Sequence, residues 1–127
     1  IRVEDLMHTG AEVPLVRHDM LMSEALIAIA GKRFGCAGVM NAAGKLVGII
    51  TDGDLRRRME RTEDIMTLTA EGVMTRNPVT IDRRALAAQA LNVLEERKIT
   101  SVVVAEGEPK RAVGVVHLHD LWRTEMV

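Results

Sequence analysis

The fold is decided by a stretch that the chain contains twice, GIITDGD at residues 48–54 and GVVHLHD at residues 114–120. In both copies an apolar run starts at a glycine and ends in a polar turn whose last residue is an aspartate. A second matching pair lies upstream, DLM at residues 5–7 and GVM at residues 72–74. The offsets of 66 and 67 residues are nearly equal, so the chain consists of two copies of one unit.

Both copies predict the same order of elements: short strand, helix, strand, turn, strand, helix. Apolar residues at helical spacing mark one helix face in each copy. They are Leu21, Ala25, Leu26 and Ile29, and Leu86, Ala90, Leu91 and Leu94. Apolar runs typical of strands occupy residues 37–40 and 46–51 in the first copy, and 101–105 and 112–117 in the second. Turns containing Gly44, or Gly107 with Pro109, join these runs, and final helices are predicted to begin near Asp54 and Asp120.

The composition excludes several function classes. Of the 127 residues, 47% are hydrophobic and 28% charged, and the net charge of −1 offers no basic surface to a polyanion. Aromatic residues make up 2%, so a base-stacking surface for nucleic acid is not expected. The single cysteine, Cys36, forms no internal disulfide, and the apolar run at residues 25–30 is too short to cross a bilayer. We therefore predict a cytoplasmic protein without nucleic-acid or membrane partners, and the first residue, Ile1, suggests an excerpt from a longer chain.

The turn at Thr51–Asp54 has the chemistry of a ribose-phosphate site. Backbone N–H groups at the start of a helix attract phosphate, and the Thr51 hydroxyl adds a further hydrogen-bonding group. The Asp54 carboxylate is able to accept hydrogen bonds from two neighbouring sugar hydroxyls. The alternative is that Asp54, and Asp120 with it, caps its helix. The spacing leaves both interpretations open.

The two copies of G-h-h-[ST]-x-x-D on β-α-β-β-α units resemble the cystathionine-β-synthase (CBS) domain pair. This resemblance implies an α/β (α+β) fold of tandem repeats, with the sheets packed together as one Bateman-type module. The repeats are residues 1–60 and 70–127, joined by a connector at 61–69. Family members sense adenosyl or other nucleotide ligands in clefts between the repeats. The threonine and ribose-binding aspartate of the family fall on Thr51 and Asp54, whereas the second copy has Asp120 but His117 in the threonine position.

A narrower resemblance rests on four strings: DLMHTG at residues 5–10, TDGDLRR at 51–57, ITSV at 99–102 and HLHDL at 117–121. They are similar to the C-terminal CBS pair of bacterial arabinose 5-phosphate isomerases, which supply Kdo (3-deoxy-manno-octulosonate) for lipopolysaccharide. The resemblance implies a regulatory module without catalytic residues or a required cofactor, whose partner is its own sugar-isomerase domain. The favoured ligand is the feedback signal CMP-Kdo, and AMP or ATP is the alternative. The module is expected to form a homodimer or higher homo-oligomer, and a purely structural dimerisation role with empty clefts stays open.

The predicted ligand-binding residues lie at the turns, loops and N-terminal segments of the two repeats. They are Met7, His8, Thr9, Val13, Val16, Thr51, Asp54, Arg57, Met74, Thr75, Lys98, Ile99, Thr100, Ser101, His117, His119 and Asp120. Within this set, Val13, Val16 and Ile99 are expected to hold a nucleotide base, because the chain has few aromatic residues.

Three features of this set have competing interpretations. Arg57 lies one helical turn after Asp54, so it either pairs with that carboxylate or reaches an anionic ligand. His117 and His119 alternate at a strand end beside Asp120, and a metal site there is the alternative to a polar ligand contact. The segment from Met7 to Pro14 has three residues more than its counterpart in the second copy, and it either reshapes a site or is a tolerated surface loop.

Overall fold

The computed structural model describes residues 1–32, 34–61 and 64–125. The helices are α1 (Val3–Leu6), α2 (Met22–Lys32), α3 (Asp52–Glu60), α4 (Ala70–Val73), α5 (Ala87–Arg97) and α6 (Leu118–Glu125). The strands are β1 (Leu15–Arg17), β2 (Cys36–Met40), β3 (Leu46–Thr51), β4 (Thr75–Arg76), β5 (Thr80–Ile81), β6 (Ser101–Glu106) and β7 (Arg111–His117). Two short 3-10 helices lie at Gly10–Glu12 and Ile65–Thr67. The chain divides into two compact units, Pro14–Pro78 and Ile1–Val13 with Val79–Val127, here called the Asp54 unit and the Asp120 unit.

The Asp54 unit contains a four-stranded sheet in the order β1-β2-β3-β4. Strand β1 runs parallel to β2, and the other neighbours are antiparallel. Burial alternates along β3, with Leu46 and Ile50 inside, as expected for a strand with one face on the core. Ala25 and Ile29 on α2 and Val73 on α4 pack into the same aliphatic core. The sheet therefore has a helix-covered face and ends at the turn that begins α3.

The Asp120 unit has a three-stranded sheet in the order β5-β6-β7, again with the first pair parallel and the second antiparallel. Five consecutive residues of β6, Ser101–Ala105, are buried, which is typical of a strand covered on both faces. Its core includes Ala90 and Leu94 of α5 and Leu121 of α6. Val3 of α1 is fully buried in this core. The first residues of the chain therefore belong to this unit.

Each compact unit contains a short segment that belongs by sequence to the other repeat. The N–H of Val3, from the first repeat, donates to the carbonyl of Ala85 at 2.8 Å. In the same way the N–H of Ala70, from the second repeat, donates to the carbonyl of Met20 at 2.8 Å. The repeat division into 1–60, 61–69 and 70–127 stays a prediction, and the compact cores form along different boundaries. Residues 62 and 63 of the connector, and the chain end at 126–127, lie outside the described residues.

The predicted α/β class and element order are confirmed, with small corrections. Helices α3 and α6 begin at Asp52 and Leu118, two residues earlier than expected, because each strand passes directly into its helix. Leu21 and Leu86 do not belong to the buried helix faces. They precede α2 and α5, are 45% and 48% exposed, and form isolated bridges through their backbones. None of the helices in residues 1–32, 34–61 and 64–125 is long and apolar enough to cross a membrane.

Candidate ligand-binding sites

In the Asp54 unit, the candidate site is the junction where β3 ends and α3 begins. Thr51 has extended backbone geometry and is the N-cap of α3, and its Oγ1 accepts a hydrogen bond from the N–H of Asp54 at 3.1 Å. This contact satisfies one of the N–H groups that a helix start leaves without a partner in the helix. The Asp54 carboxylate accepts a hydrogen bond from the Arg57 guanidinium one turn later. The predicted pairing of Arg57 with Asp54 is therefore confirmed, and Thr51 rather than Asp54 is the capping residue.

In the Asp120 unit, His117 takes the place of the threonine at the corresponding junction. It is the last residue of β7, and its Nδ1 accepts a hydrogen bond from the N–H of His119 at 3.1 Å. The Asp120 carboxylate accepts from the N–H of His117 at 2.9 Å, so the capping alternative is correct for Asp120. Burial and the neighbouring His119 lower the pKa of His117, which favours the neutral ring that the Nδ1 acceptor role requires. The imidazole thus replaces the threonine hydroxyl as an N-cap acceptor.

The Asp120 carboxylate also contacts a residue from the N-terminal segment. His8 Nε2 lies 3.0 Å from Oδ2 and 3.1 Å from Oδ1 of Asp120, and His8 Nδ1 lies 2.6 Å from Oε2 of Glu12. Burial opposes the charged ring, but the hydrogen bonds to Glu12 and Asp120 outweigh it, so the pKa of His8 is raised. The two aspartates therefore have different cationic partners, a guanidinium at Asp54 and an imidazole at Asp120.

A methionine covers the first glycine of the repeated stretch in each unit. A Cβ atom on Gly48 would lie 2.7 Å from Cγ of Met74 and 2.9 Å from the carbonyl oxygen of Thr75. A Cβ atom on Gly114 would lie 2.7 Å from Sδ of Met7 and 3.0 Å from the carbonyl oxygen of His8. Glycine is thus required at both positions, because the segment that comes from the other repeat packs directly against the strand. This contact holds His8 and Thr75 beside their sheets.

The predicted loop residues Thr100 and Ser101 lie next to the His117 turn. The carbonyl of Thr100 accepts a hydrogen bond from the N–H of Leu118 at 2.8 Å, and Ser101 is the pairing partner of His117 in the β6–β7 ladder. Lys98 is exposed and caps the end of α5 in the left-handed conformation, with φ of 55°. Ile99 is half-buried and packs against the core. The structure therefore brings Thr100 and Ser101 to the Asp120 junction.

The remaining predicted residues differ in exposure and divide between the units. Val16 is 2% exposed and belongs to the core of the Asp54 unit, and Val13 is 8% exposed. The burial of Val16 gives it a packing role. Thr9 and Thr75 are exposed. Residues Met7, His8, Thr9, Val13, Lys98, Ile99, Thr100, Ser101, His117, His119 and Asp120 lie in the Asp120 unit, and Val16, Thr51, Asp54, Arg57, Met74 and Thr75 lie in the Asp54 unit.

The expected placement of His119 on a strand is wrong, because β7 ends at His117 and α6 begins at Leu118. The His117 and His119 rings nevertheless stack with centroids 4.7 Å apart, and Trp122 meets His119 edge-on at 5.3 Å. Within the described part of the chain, no group of three or more His, Cys, Asp or Glu side chains is arranged to hold a metal ion. The imidazoles here therefore form a ring cluster beside Asp120.

Sequence reasoning missed two residues of the Asp120 junction, Glu12 and Trp122. Glu12 lies in the 3-10 helix of the longer first-repeat segment, and that extra length was the signal for an added group. Trp122 lies on α6, one helical turn after His119, and this spacing was its signal. Both residues give the Asp120 junction polar and aromatic groups that the sequence motif alone does not contain.

Replacing Thr51 with alanine is expected to destabilise the chain by about 1 kcal/mol, because α3 loses its capping acceptor. Thr69→Ala is the matched control, since Thr69 Oγ1 accepts from the N–H of Gly72 at the start of α4. Urea unfolding should show similar losses for both variants, whereas only Thr51→Ala should weaken binding of a ligand at the Asp54 junction. Equal binding by the two variants would contradict a role for Thr51 in the site.

The fold and its two junctions define a class of protein: a paired-repeat α/β module in which each strand-to-helix turn presents an aspartate. The CBS-domain family model matches residues 3–61 and 70–121, and the chain belongs to this family. The predicted resemblance to a CBS domain pair is thereby confirmed. The two repeats account for nearly all of the chain, so these 127 residues are a CBS pair and not an isomerase catalytic domain.

Known proteins place the chain more narrowly. The arabinose 5-phosphate isomerase KdsD of Yersinia pestis is 39% identical over all 127 residues, which span 38% of that protein. The solved CBS domain pair of protein MJ0100, in complex with 5′-methylthioadenosine and S-adenosyl-L-methionine, has a TM-score of 0.84 at 23% identity and covers 99% of this chain and 96% of its own. CBSX2 in complex with AMP has a TM-score of 0.82 at 19% identity, covering 98% and 96%. These structures share the fold.

Proposed function

We propose that this chain is the regulatory ligand-binding module of an arabinose 5-phosphate isomerase, and that it binds a nucleotide-containing metabolite. The observation that carries the proposal is the Thr51–Asp54 junction, where a helix start, a hydroxyl and a carboxylate lie within one turn. The similarity to KdsD over the whole chain supports the parent enzyme. Occupancy of the module would then be passed to the sugar-isomerase domain of the full-length protein.

The favoured ligand is CMP-Kdo, the activated product of the pathway that the isomerase would feed. Its ribose hydroxyls match the Asp54 carboxylate, and its phosphate matches the N–H groups at the start of α3. The carboxylate of its sugar calls for a basic or hydroxyl side chain. Because the net charge of the chain is −1, local groups such as Arg57 and the helix terminus must supply the attraction for an anion.

An adenine nucleotide is the second candidate, and the solved relatives favour it. MJ0100 holds 5′-methylthioadenosine and S-adenosyl-L-methionine, and CBSX2 holds AMP, on the same fold. The Asp54 carboxylate would accept hydrogen bonds from the ribose hydroxyls of cytidine and adenosine alike. The base therefore decides the ligand, and the test must contain both bases. A cytoplasmic location and a homodimeric or higher assembly complete the proposal.

A thermal-shift panel with CMP-Kdo, CMP, AMP, ATP and S-adenosylmethionine tests this function. A ligand at about 100 times its Kd stabilises the folded chain by about 2.7 kcal/mol, which raises the Tm of a chain this size by roughly 10 °C. We expect such a rise with CMP-Kdo, and with AMP or ATP instead if the adenine alternative is correct. No rise with any of the five at millimolar concentration would overturn the proposal and favour a purely structural dimerisation module.

A further inference from the structure

The carboxylate of Asp120 is already engaged by side-chain and backbone donors of its own unit. Its side chain is 12% exposed, and its Oδ2 accepts from the N–H of His117 at 2.9 Å and lies 3.0 Å from His8 Nε2. Its Oδ1 lies 3.1 Å from the same His8 nitrogen. A ligand hydroxyl that binds this carboxylate would therefore compete with the His8 ring.

His8 has a carboxylate at each of its two ring nitrogens. Glu12 Oε2 lies 2.6 Å from Nδ1, and the Asp120 oxygens lie at Nε2. A neutral imidazole has a single N–H, so only the protonated ring donates to both carboxylates. Loss of the proton leaves a nitrogen lone pair facing a carboxylate. Charged groups that face His8 include Glu12 on its own segment and Asp120 on α6, and the titratable ring of His117 interacts electrostatically with both His8 and Asp120.

The backbone fixes His8 at this position independently of its side chain. Its N–H donates to the carbonyl of Val115 at 2.9 Å, and its carbonyl accepts from the N–H of Val115 at 3.0 Å. The equivalent pairing in the Asp54 unit joins Thr75 to Ile49, so a residue that does not titrate occupies the corresponding place. Glu12 comes from the extra length of the first-repeat segment. The arrangement around His8 is therefore particular to one of the two units.

We propose that His8 is a proton-operated lock on Asp120: the protonated ring donates to Glu12 and Asp120 at once and holds the carboxylate against hydroxyl-bearing ligands, and loss of the ring proton removes one of the two donors and loosens this hold. The lock itself stands on the geometry of the Asp120 unit, and its effect on ligands rests on the proposed nucleotide-binding function. At Asp54 the partner is Arg57, whose side chain is 65% exposed, so this ion pair is weak and gives way to a ligand. The guanidinium stays charged throughout the physiological range, so this contact does not change with pH. The two sites of one chain should thus differ in how their affinity depends on pH.

The direction follows from the protonation state that the fold favours. Because the folded state raises the pKa of His8, the contact is complete below the ordinary value of about 6.5 and is lost as the pH rises through the raised value. Nucleotide affinity at Asp120 should therefore increase with pH over this window. Affinity at Asp54 should stay constant over the same window.

The lock can be measured without a ligand by NMR titration of the His8 ring and the Asp120 carboxyl carbon. We expect the His8 midpoint to lie above about 6.5 and the Asp120 carbon to show an inflection at the same pH. Glu12→Gln should lower the midpoint, and His8→Gln should abolish the inflection. His18→Gln is the matched control, since His18 pairs with Glu71 in the other unit. A His8 midpoint at or below 6.5, or no Asp120 inflection, would overturn the proposal.

The effect of the His8 lock on ligand binding is measured in the Asp54→Asn variant, which leaves only the Asp120 junction intact. This variant is titrated with AMP, CMP and adenosine. Adenosine is included because it has no phosphate that titrates in this pH range. We expect affinity about tenfold higher one pH unit above the His8 midpoint than one unit below it, and pH-independent high affinity when His8→Ala is added. A flat profile in Asp54→Asn overturns the gating of ligands. Absence of binding by both Asp54→Asn variants at every pH, when the natural chain binds, overturns the gating of ligands at Asp120. Absence of binding by the natural chain as well, with the Asp120 inflection present, overturns the proposed function and leaves the lock established.

Discussion

Replacing Asp54 with alanine is expected to weaken nucleotide binding at its junction by roughly 10- to 100-fold, because a hydrogen bond to a charged group contributes about 1.5–3 kcal/mol. The loss arises from the contact between the carboxylate and the ribose hydroxyls. Fold stability should change by less than about 0.5 kcal/mol, since the partner Arg57 is exposed and surface ion pairs contribute little. Calorimetric titration measures the affinity, and urea unfolding measures the stability.

Asp52→Ala is the matched control for this experiment. Asp52 is the exposed first residue of α3, so the variant removes one negative charge from the same helix terminus while keeping Asp54. We expect its nucleotide affinity to be unchanged or slightly higher, because a negative charge near the phosphate is gone. Equal losses in Asp52→Ala and Asp54→Ala would show that the terminus responds to charge alone and would contradict a ribose contact at Asp54.

Gly114→Ala is expected to destabilise the chain by about 1–3 kcal/mol, the usual cost of overpacking a buried site. The new Cβ would lie 3.0 Å from the carbonyl oxygen of His8, which is backbone and unable to rotate away, as well as 2.7 Å from the Met7 sulfur. The exchanged segment would have to move off its sheet. Thermal or urea unfolding provides the measurement, and the His8 ring titration should shift toward its ordinary value in the same variant.

The control for this variant is Gly31→Ala, on α2. A Cβ at Gly31 meets nothing within 4 Å, and alanine is favoured over glycine inside a helix by roughly 0.5–1 kcal/mol, so this variant should be slightly more stable than the natural chain. If Gly114→Ala were as stable as Gly31→Ala, the close packing of Met7 and His8 on β7 would be contradicted.

The helices and strands were largely predictable, because each has an apolar pattern among neighbouring residues and the same patterns occur in both repeats. The runs at residues 46–51 and 112–117 have strand character in both repeats, and the structure places β3 and β7 there. Strand β4, by contrast, has two residues and no periodicity of its own, so its pairing with β3 has no local signal. The exchange of segments between the repeats is equally invisible to a local pattern, since Val3 reaches its core by contacts with residues far along the chain.

The candidate sites divide in the same way. Thr51, Asp54 and Arg57 lie within two helical turns, so their hydrogen bonds follow from spacing alone. The contact of His8 with Asp120 joins residues 112 positions apart, and no sequence period connects them. His117 is predictable in part. The sequence repeat marks its position, but its Nδ1 accepts the capping hydrogen bond only in one tautomer of the ring, and the surrounding structure selects that tautomer.

The most direct test of the central claim is a calorimetric titration of the 127-residue chain with CMP-Kdo and AMP, repeated on the Asp54→Asn, Asp120→Asn double variant. The claim predicts saturable binding of at least one nucleotide by the natural chain and loss of that binding in the double variant, with both proteins equally folded by circular dichroism. No saturable heat with either nucleotide at millimolar concentration, or equal affinity in the double variant, would contradict it.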